Sequence, residues 1–186
     1  MLITRRVLLV AGAAAGGTLA AALVPRKLRA AELHALSAAL KPVDPPVPAP
    51  NIRFADTGGK QHTLSEFHGH GMVINLWATW CPPCVEEMPS LAVLSKALAP
   101  DHIAVLPLSS DHGGAKAVQA FFAQHDITDL PVLLDPGSAA ARAFNVRGLP
   151  TSVVIDKQGR ECARLEGSAD WSTPQAIAMV RRLASG

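Results

Sequence analysis

The sequence predicts an α/β domain, a mixed central sheet flanked by helices, preceded by an N-terminal export or anchoring segment. Three observations carry this expectation. From Ile52 to the C terminus, strand-like and helix-like stretches alternate, as they do in α/β folds. The apolar run Met72 to Trp77 has the length of a buried central strand, and it leads into Cys81-Pro82-Pro83-Cys84, where a helical pattern opens. Thr4-Arg5-Arg6 is followed by an uncharged Ala/Gly/Leu/Val run from Val7 to Val24, about the minimum length for crossing a hydrocarbon core.

The elements follow in order. Residues 1–30 read as a signal or transmembrane anchor, whose paired arginines resemble a twin-arginine signal. A retained anchor is favoured, because Ala20-Ala21-Ala22 lies inside the apolar run and Leu28-Arg29-Ala30 is a poor cleavage site. Residues 31–50 read as a linker. Half of the positions from Lys41 to Pro50 are proline, so this stretch is expected to be an extended polyproline arm of roughly 30 Å. The folded domain spans 51–186. Ile52 to Ala55 and the turn Asp56-Thr57-Gly58-Gly59 suggest a hairpin, and Leu64 to Phe67 a short helical turn. Met72 to Ala78 is the central strand. In the helix after it, Cys84, Met88, Leu91, Ser95 and Leu98 share one stripe, and Pro89 is expected to kink it. Ile103 to Leu108 and Val132 to Asp135 read as strands. Ala115 to His125, with Val118, Phe121 and Phe122 inward, and Ser138 to Phe144 read as helices. Thr151 to Asp156 and Glu161 to Leu165 flank the turn Asp156-Lys157-Gln158-Gly159, and Thr173-Pro174 caps a closing helix.

Composition narrows the partners. Residues 1–50 carry six Lys/Arg against two acids and residues 51–186 eleven against thirteen, so the net charge of +2 divides into +4 and −2. The folded part has no basic surface for nucleic acid.

The chemistry lies in the cysteine pair. Two cysteines separated by two residues can close a disulfide across the first helical turn. The free N–H groups and positive dipole end of a helix N-terminus stabilise a thiolate, which makes Cys81 the nucleophile. Cys84, one turn further in, is placed to resolve a mixed disulfide. A structural zinc site needs more ligands than the isolated Cys162 adds, and a structural disulfide closing so short a loop removes little unfolded-state entropy. Cys162 itself reads as a buried inert thiol, and His68-Gly69-His70 as solvated histidines. Trp77 is expected in the core. Trp80 is expected either there or on the apolar surface around Cys81.

The block from Asn75 to Pro89, with Trp80-Cys81-Pro82-Pro83-Cys84 at its centre, resembles the active site of the thioredoxin superfamily, and most closely its TlpA/ResA-like branch of membrane-tethered thiol-disulfide oxidoreductases. A second matching block is Val146-Arg147-Gly148-Leu149-Pro150-Thr151-Ser152. The resemblance implies a thioredoxin-like fold, a cis-proline at Pro150, and a substrate strand paired with the Leu149 backbone beside Trp80 and Pro82. It implies no cofactor and no metal. Cytosolic thioredoxins have a buried aspartate six residues before the first cysteine, where this chain has Asn75, which cannot take up a proton. A water or a nearby carboxylate is then expected as base, with Glu86 and Glu87 the closest in sequence, or else these are simply acidic residues favoured early in a helix.

The expected activity is reduction of disulfides in exported proteins at the outer face of a bacterial-type inner membrane, regenerated by a membrane electron donor. The resemblance points to cytochrome c maturation or copper-site assembly, with apocytochrome cysteines or copper-assembly proteins as substrates. A disulfide oxidase or isomerase, or a Cu(I)-binding assembly factor using the same thiols, stays open as an alternative.

Overall fold

The computed structural model describes residues 40–186; the signal or anchor read at 1–30 and most of the segment to Leu40 lie outside the described residues. Eight strands form one sheet: β1 (Lys41–Pro48), β2 (Arg53–Ala55), β3 (Gln61–Thr63), β4 (Met72–Trp77), β5 (Ala104–Ser109), β6 (Leu133–Leu134), β7 (Thr151–Ile155) and β8 (Arg160–Glu166). Four α-helices among the described residues accompany them: α1 (Pro82–Leu98), α2 (Gly114–Gln124), α3 (Ala139–Ala143) and α4 (Pro174–Ser185). The order across the sheet is β1-β8-β7-β4-β5-β6-β2-β3. β4, β5 and β6 are parallel, and the remaining pairings are antiparallel, giving the mixed sheet expected of a thioredoxin-like fold.

Alternation along β4 divides the core. Met72, Ile74 and Leu76 face a cluster with Phe54, Leu106, Leu108, Val153, Ile155 and the α3 side, whereas Val73 and Trp77 face α1, α2 and α4. Asn75 therefore points to the same face as α1. Trp77 is fully buried and stacks on Phe122 with centroids 5.8 Å apart, as its apolar surroundings predict. The stripe of α1 differs from the expected one at three positions: Ser95 is only half-buried, while Glu87 and Leu94 join Cys84, Met88, Leu91 and Leu98 inside. Pro89 sits within one unbroken helix from Pro82 to Leu98. Thr173 caps α4 through its hydroxyl, which accepts from Ala176 N–H at 3.1 Å.

The proline-rich stretch departs from its reading as a free arm. It is extended, but Lys41–Pro48 is docked as the edge strand β1, with Lys41 opposite Arg164, Pro42 opposite Ala163, and a register shift before Val47 pairs with Glu161. Polyproline and β backbone share nearly the same dihedral region, so composition cannot distinguish a solvated arm from a docked strand. Proline lacks a donor, and an edge strand tolerates this because its outer side needs no partner. Leu40, the first of the described residues, is already buried at 3% exposure, and the sheet takes in β1 as well as the strands after residue 51. β1 runs antiparallel to β8, so the chain enters the domain from the end of the sheet that carries the cysteines.

Candidate active site

Cys81 is the N-cap of α1 and Cys84 lies on its first turn. Their Cα atoms are 5.3 Å apart and their sulfurs are bonded. Cys84 is fully buried and Cys81 retains 5% exposure, so the first sulfur is the one a second protein can reach. Reduced at this position, Cys81 faces the unpaired N–H groups of the helix start, which favour its thiolate. Trp80 is the most exposed large apolar side chain near the pair, at 62%. With Val146, Arg147, Leu149 and His112 it lines an open cavity of about 200 Å³. Pro82 is exposed beside it. The Leu149–Pro150 bond is cis, Pro150 is buried, and its carbonyl accepts from Gly167 N–H at 2.9 Å.

The loop that presents Cys81 is held by a residue that the sequence did not single out. Asp111, just past β5, accepts from Thr79 N–H at 2.9 Å, from the Thr79 hydroxyl at 2.6 Å and from the Ser109 hydroxyl at 2.7 Å. A carboxylate two residues beyond a strand has no spacing signature, and only the parallel pairing of β4 with β5 brings the two loops together.

Of the two candidate carboxylates on α1, Glu86 is exposed and Glu87 is buried, at 3% exposure. The difference is one helical step of about 100°. Glu87 Oε1 accepts from Asn75 Nδ2 at 2.7 Å; Oε2 accepts from Ala169 N–H at 3.1 Å and from Trp171 Nε1–H at 3.2 Å. Asn75 Nδ2 also donates to the Ser152 hydroxyl at 3.0 Å. No cation touches Glu87 among the described residues. Burial pushes its carboxyl up to about 7, and the three donors hold it from rising further. A group poised near neutrality, three residues beyond Cys84 on the same face of α1, can take a proton from that thiol and return it.

Cys162 is buried on β8 and donates to the Val154 carbonyl at 3.3 Å, its thiol pushed up to about 11 chiefly by burial. It stands apart from the pair. Among the described residues no group of three or more His, Cys, Asp or Glu could hold a metal ion, and His68 and His70 are exposed.

A solvent-edge cysteine bonded to a buried one at a helix start, with a titratable acid behind them, exchanges disulfides; on this sheet it makes the protein a thiol-disulfide oxidoreductase of thioredoxin-like fold. The chain belongs to the Redoxin family, whose model matches residues 45–177. It is similar to the thiol-disulfide oxidoreductase ResA of Bacillus thuringiensis subsp. konkukian, at 35% identity over 119 residues that cover 64% of this chain and 68% of that one. Among solved structures it is similar to a thiol:disulfide interchange protein of the thioredoxin family from Chlorobium tepidum, with a TM-score of 0.61 and 26% identity over 73% of this chain and 97% of that one. The exposed lipoprotein thioredoxin of Streptococcus pneumoniae gives 0.60 and 26%, over 72% and 98%.

Proposed function

We propose that the protein reduces disulfides in other exported proteins, with Cys81 as nucleophile, Cys84 as resolving thiol and Glu87 as proton acceptor. The observation that carries this reading is the asymmetry of the pair: Cys81, at the N-cap, keeps 5% exposure, while Cys84 is fully enclosed on the stripe that holds Glu87. The Cys81 thiolate attacks one sulfur of a substrate disulfide; a Cys81–substrate bond forms, the substrate bond breaks, and the departing thiolate takes a proton from solvent. Glu87 then accepts the Cys84 proton, and the Cys84 thiolate attacks Cys81 Sγ. This releases the second substrate thiolate, which is protonated in turn, and leaves the Cys81–Cys84 bond. Two electrons pass from the dithiol to the substrate. Trp80, Pro82, Leu149 and Pro150 form the surface on which an extended substrate segment lies, a role supported by the cavity that Trp80 and Leu149 share.

The setting is proposed as extracytoplasmic, on the outer face of an inner membrane if residues 1–30 stay as an anchor, with a membrane donor to regenerate the dithiol. The description of the pneumococcal relative as an exposed lipoprotein supports this. No helix among the described residues is long and apolar enough to cross a membrane. With β1 docked, the former spacer no longer lifts the domain, and the tether reaches it from the cysteine-bearing end. Apocytochrome c or copper-assembly proteins are the proposed substrates, by the resemblance to the TlpA/ResA-like branch.

The test is Cys84→Ser in the full chain expressed in cells. Partners accumulate covalently on Cys81 and mass spectrometry identifies them. Equal trapping by Cys81→Ser, with Cys84 intact, would overturn the assigned roles; a parent protein whose Cys81–Cys84 bond oxidises substrate thiols, while its dithiol form fails to reduce the substrate disulfide, would reverse the direction.

A further inference from the structure

The two oxygens of Glu87 are in different surroundings. Oε2 receives both donors of the connection between β8 and α4, Ala169 N–H and Trp171 Nε1–H. Oε1 faces Asn75, whose own Oδ1 is buried with no partner among the described residues. The connection is itself tied to α1 through Ser90, whose hydroxyl accepts Trp171 N–H at 3.1 Å and donates to the Glu87 carbonyl at 2.8 Å. Trp171 is fully buried, so its indole N–H has no water to fall back on.

We propose that Trp171 is a positioning residue for the dithiol reaction: with Ala169 N–H it fills Oε2 with donors, so the proton that Glu87 exchanges is carried on Oε1, against Asn75. The inference rests on Glu87 acting as the proton acceptor. A protonated Oε2 would set its O–H against two N–H groups that already point at it. A protonated Oε1 instead finds an acceptor in Oδ1 once the Asn75 amide turns over, which Oε2, facing only donors, does not. The face of Glu87 away from the sheet opens to solvent through a cavity of about 570 Å³ lined by Glu86, Ser90, Ser168, Ala169 and Asp170. The charged groups around Glu87 are thus Glu86 on its own helix and Asp170 on the connection; Asn75 of β4 and Ser152 of β7 are neutral. No cation in that set can substitute for the indole donor.

The experiment follows reduction of a peptide disulfide by the reduced full chain as a function of pH, in the parent and in Trp171→Phe, Ala169→Pro and Glu87→Gln. Infrared difference spectroscopy of the carboxyl C=O stretch, assigned by its loss in Glu87→Gln, reads the protonation of Glu87 directly. Loss of either donor is expected to move the acidic limb of the profile, and the carboxyl titration with it, upward by about one pH unit, which is up to a tenfold fall in rate below the midpoint. Ala169→Pro removes a donor while keeping the Trp171 side chain, so the question stays open to test if Trp171→Phe does not fold. Unmoved profiles and titrations in the donor variants, with the limb shifted in Glu87→Gln to the part that the Cys81 thiol alone sets, overturn the positioning role and leave Glu87 as acceptor. A limb identical in Glu87→Gln and the parent overturns both.

Discussion

Replacing Glu87 with Gln measures what the buried carboxyl costs the fold. Its pKa rises from an ordinary 4.5 to about 7 on folding, chiefly through burial. The folded state therefore holds a proton that the unfolded state has released across this window, and stability falls as pH rises through it. At about 1.4 kcal/mol per unit, the full difference is about 3 kcal/mol, absent below pH 4.5 and complete above pH 7. Glutamine keeps the shape: its carbonyl can accept from Ala169 and Trp171, and its amide can donate to Asn75 Oδ1 after that side chain turns over. The variant is thus expected to gain about 3 kcal/mol relative to the parent between about pH 4.5 and about pH 8. Urea unfolding of the oxidised protein at both values reads this directly, because the bonded cysteines do not titrate. His62, raised chiefly by its hydrogen bond to Glu66, also loses stabilising charge as pH rises, but it does so equally in both proteins and cancels from the difference. Parallel stability curves for parent and variant would refute the account of Glu87.

The same titration tests the amide beneath it. Asn75→Asp places a second carboxylate where a 2.7 Å contact to Glu87 stands, with no cation between them. The pair should retain one shared proton beyond neutrality, with a loss of about 2–4 kcal/mol at pH 8 and much less near pH 4; equal losses at both values would exclude like-charge coupling as the cause. Relative to a chain that starts at Leu40, removal of residues 1–50 strips β1 from β8 and takes away the buried Leu40, whose burial alone contributes about 2 kcal/mol. Thermal unfolding of the two truncations checks this, and equal midpoints would return the stretch to a mere tether.

The helices and strands that position the pair were legible because their signals are local. The apolar run of β4, the opening of α1 at Cys81, the Asp156-to-Gly159 turn and the Thr173 cap each need only neighbours in sequence. The docking of β1 was not, since its extended backbone is written in prolines whichever surface it meets, and its partner lies over a hundred residues away. The site divides in the same way. Cys81, Cys84, Trp80 and the Leu149–Pro150 bond are named by short motifs. Trp171 and Asp111 act across 84 and 32 residues respectively, and nothing adjacent to either announces a partner. Glu87 fell between these cases: it was visible as a carboxylate near the cysteines, and separable from Glu86 only once the face of α1 turned toward β4 was known.

That separation explains why the strand carries an amide. Position 75 and position 87 meet at 2.7 Å with no cationic side chain paired to either among the described residues, so they can hold one ionisable acid between them and not two without a shared proton. A carboxylate on the strand would require a neutral partner on the helix; this chain has the reverse arrangement. An asparagine donates to the helix carboxylate through Nδ2 and can offer Oδ1 to its protonated form, so the neutral residue serves both states of its charged neighbour. Moving the acid to α1 also sets it beside a cavity that opens on solvent and within reach of the β8–α4 connection, where backbone and indole donors adjust it. An acid at position 75, at the centre of β4 and fully covered, would have neither. Asn75 is thus the condition that lets Glu87 stay ionisable near neutral pH behind the cysteine pair.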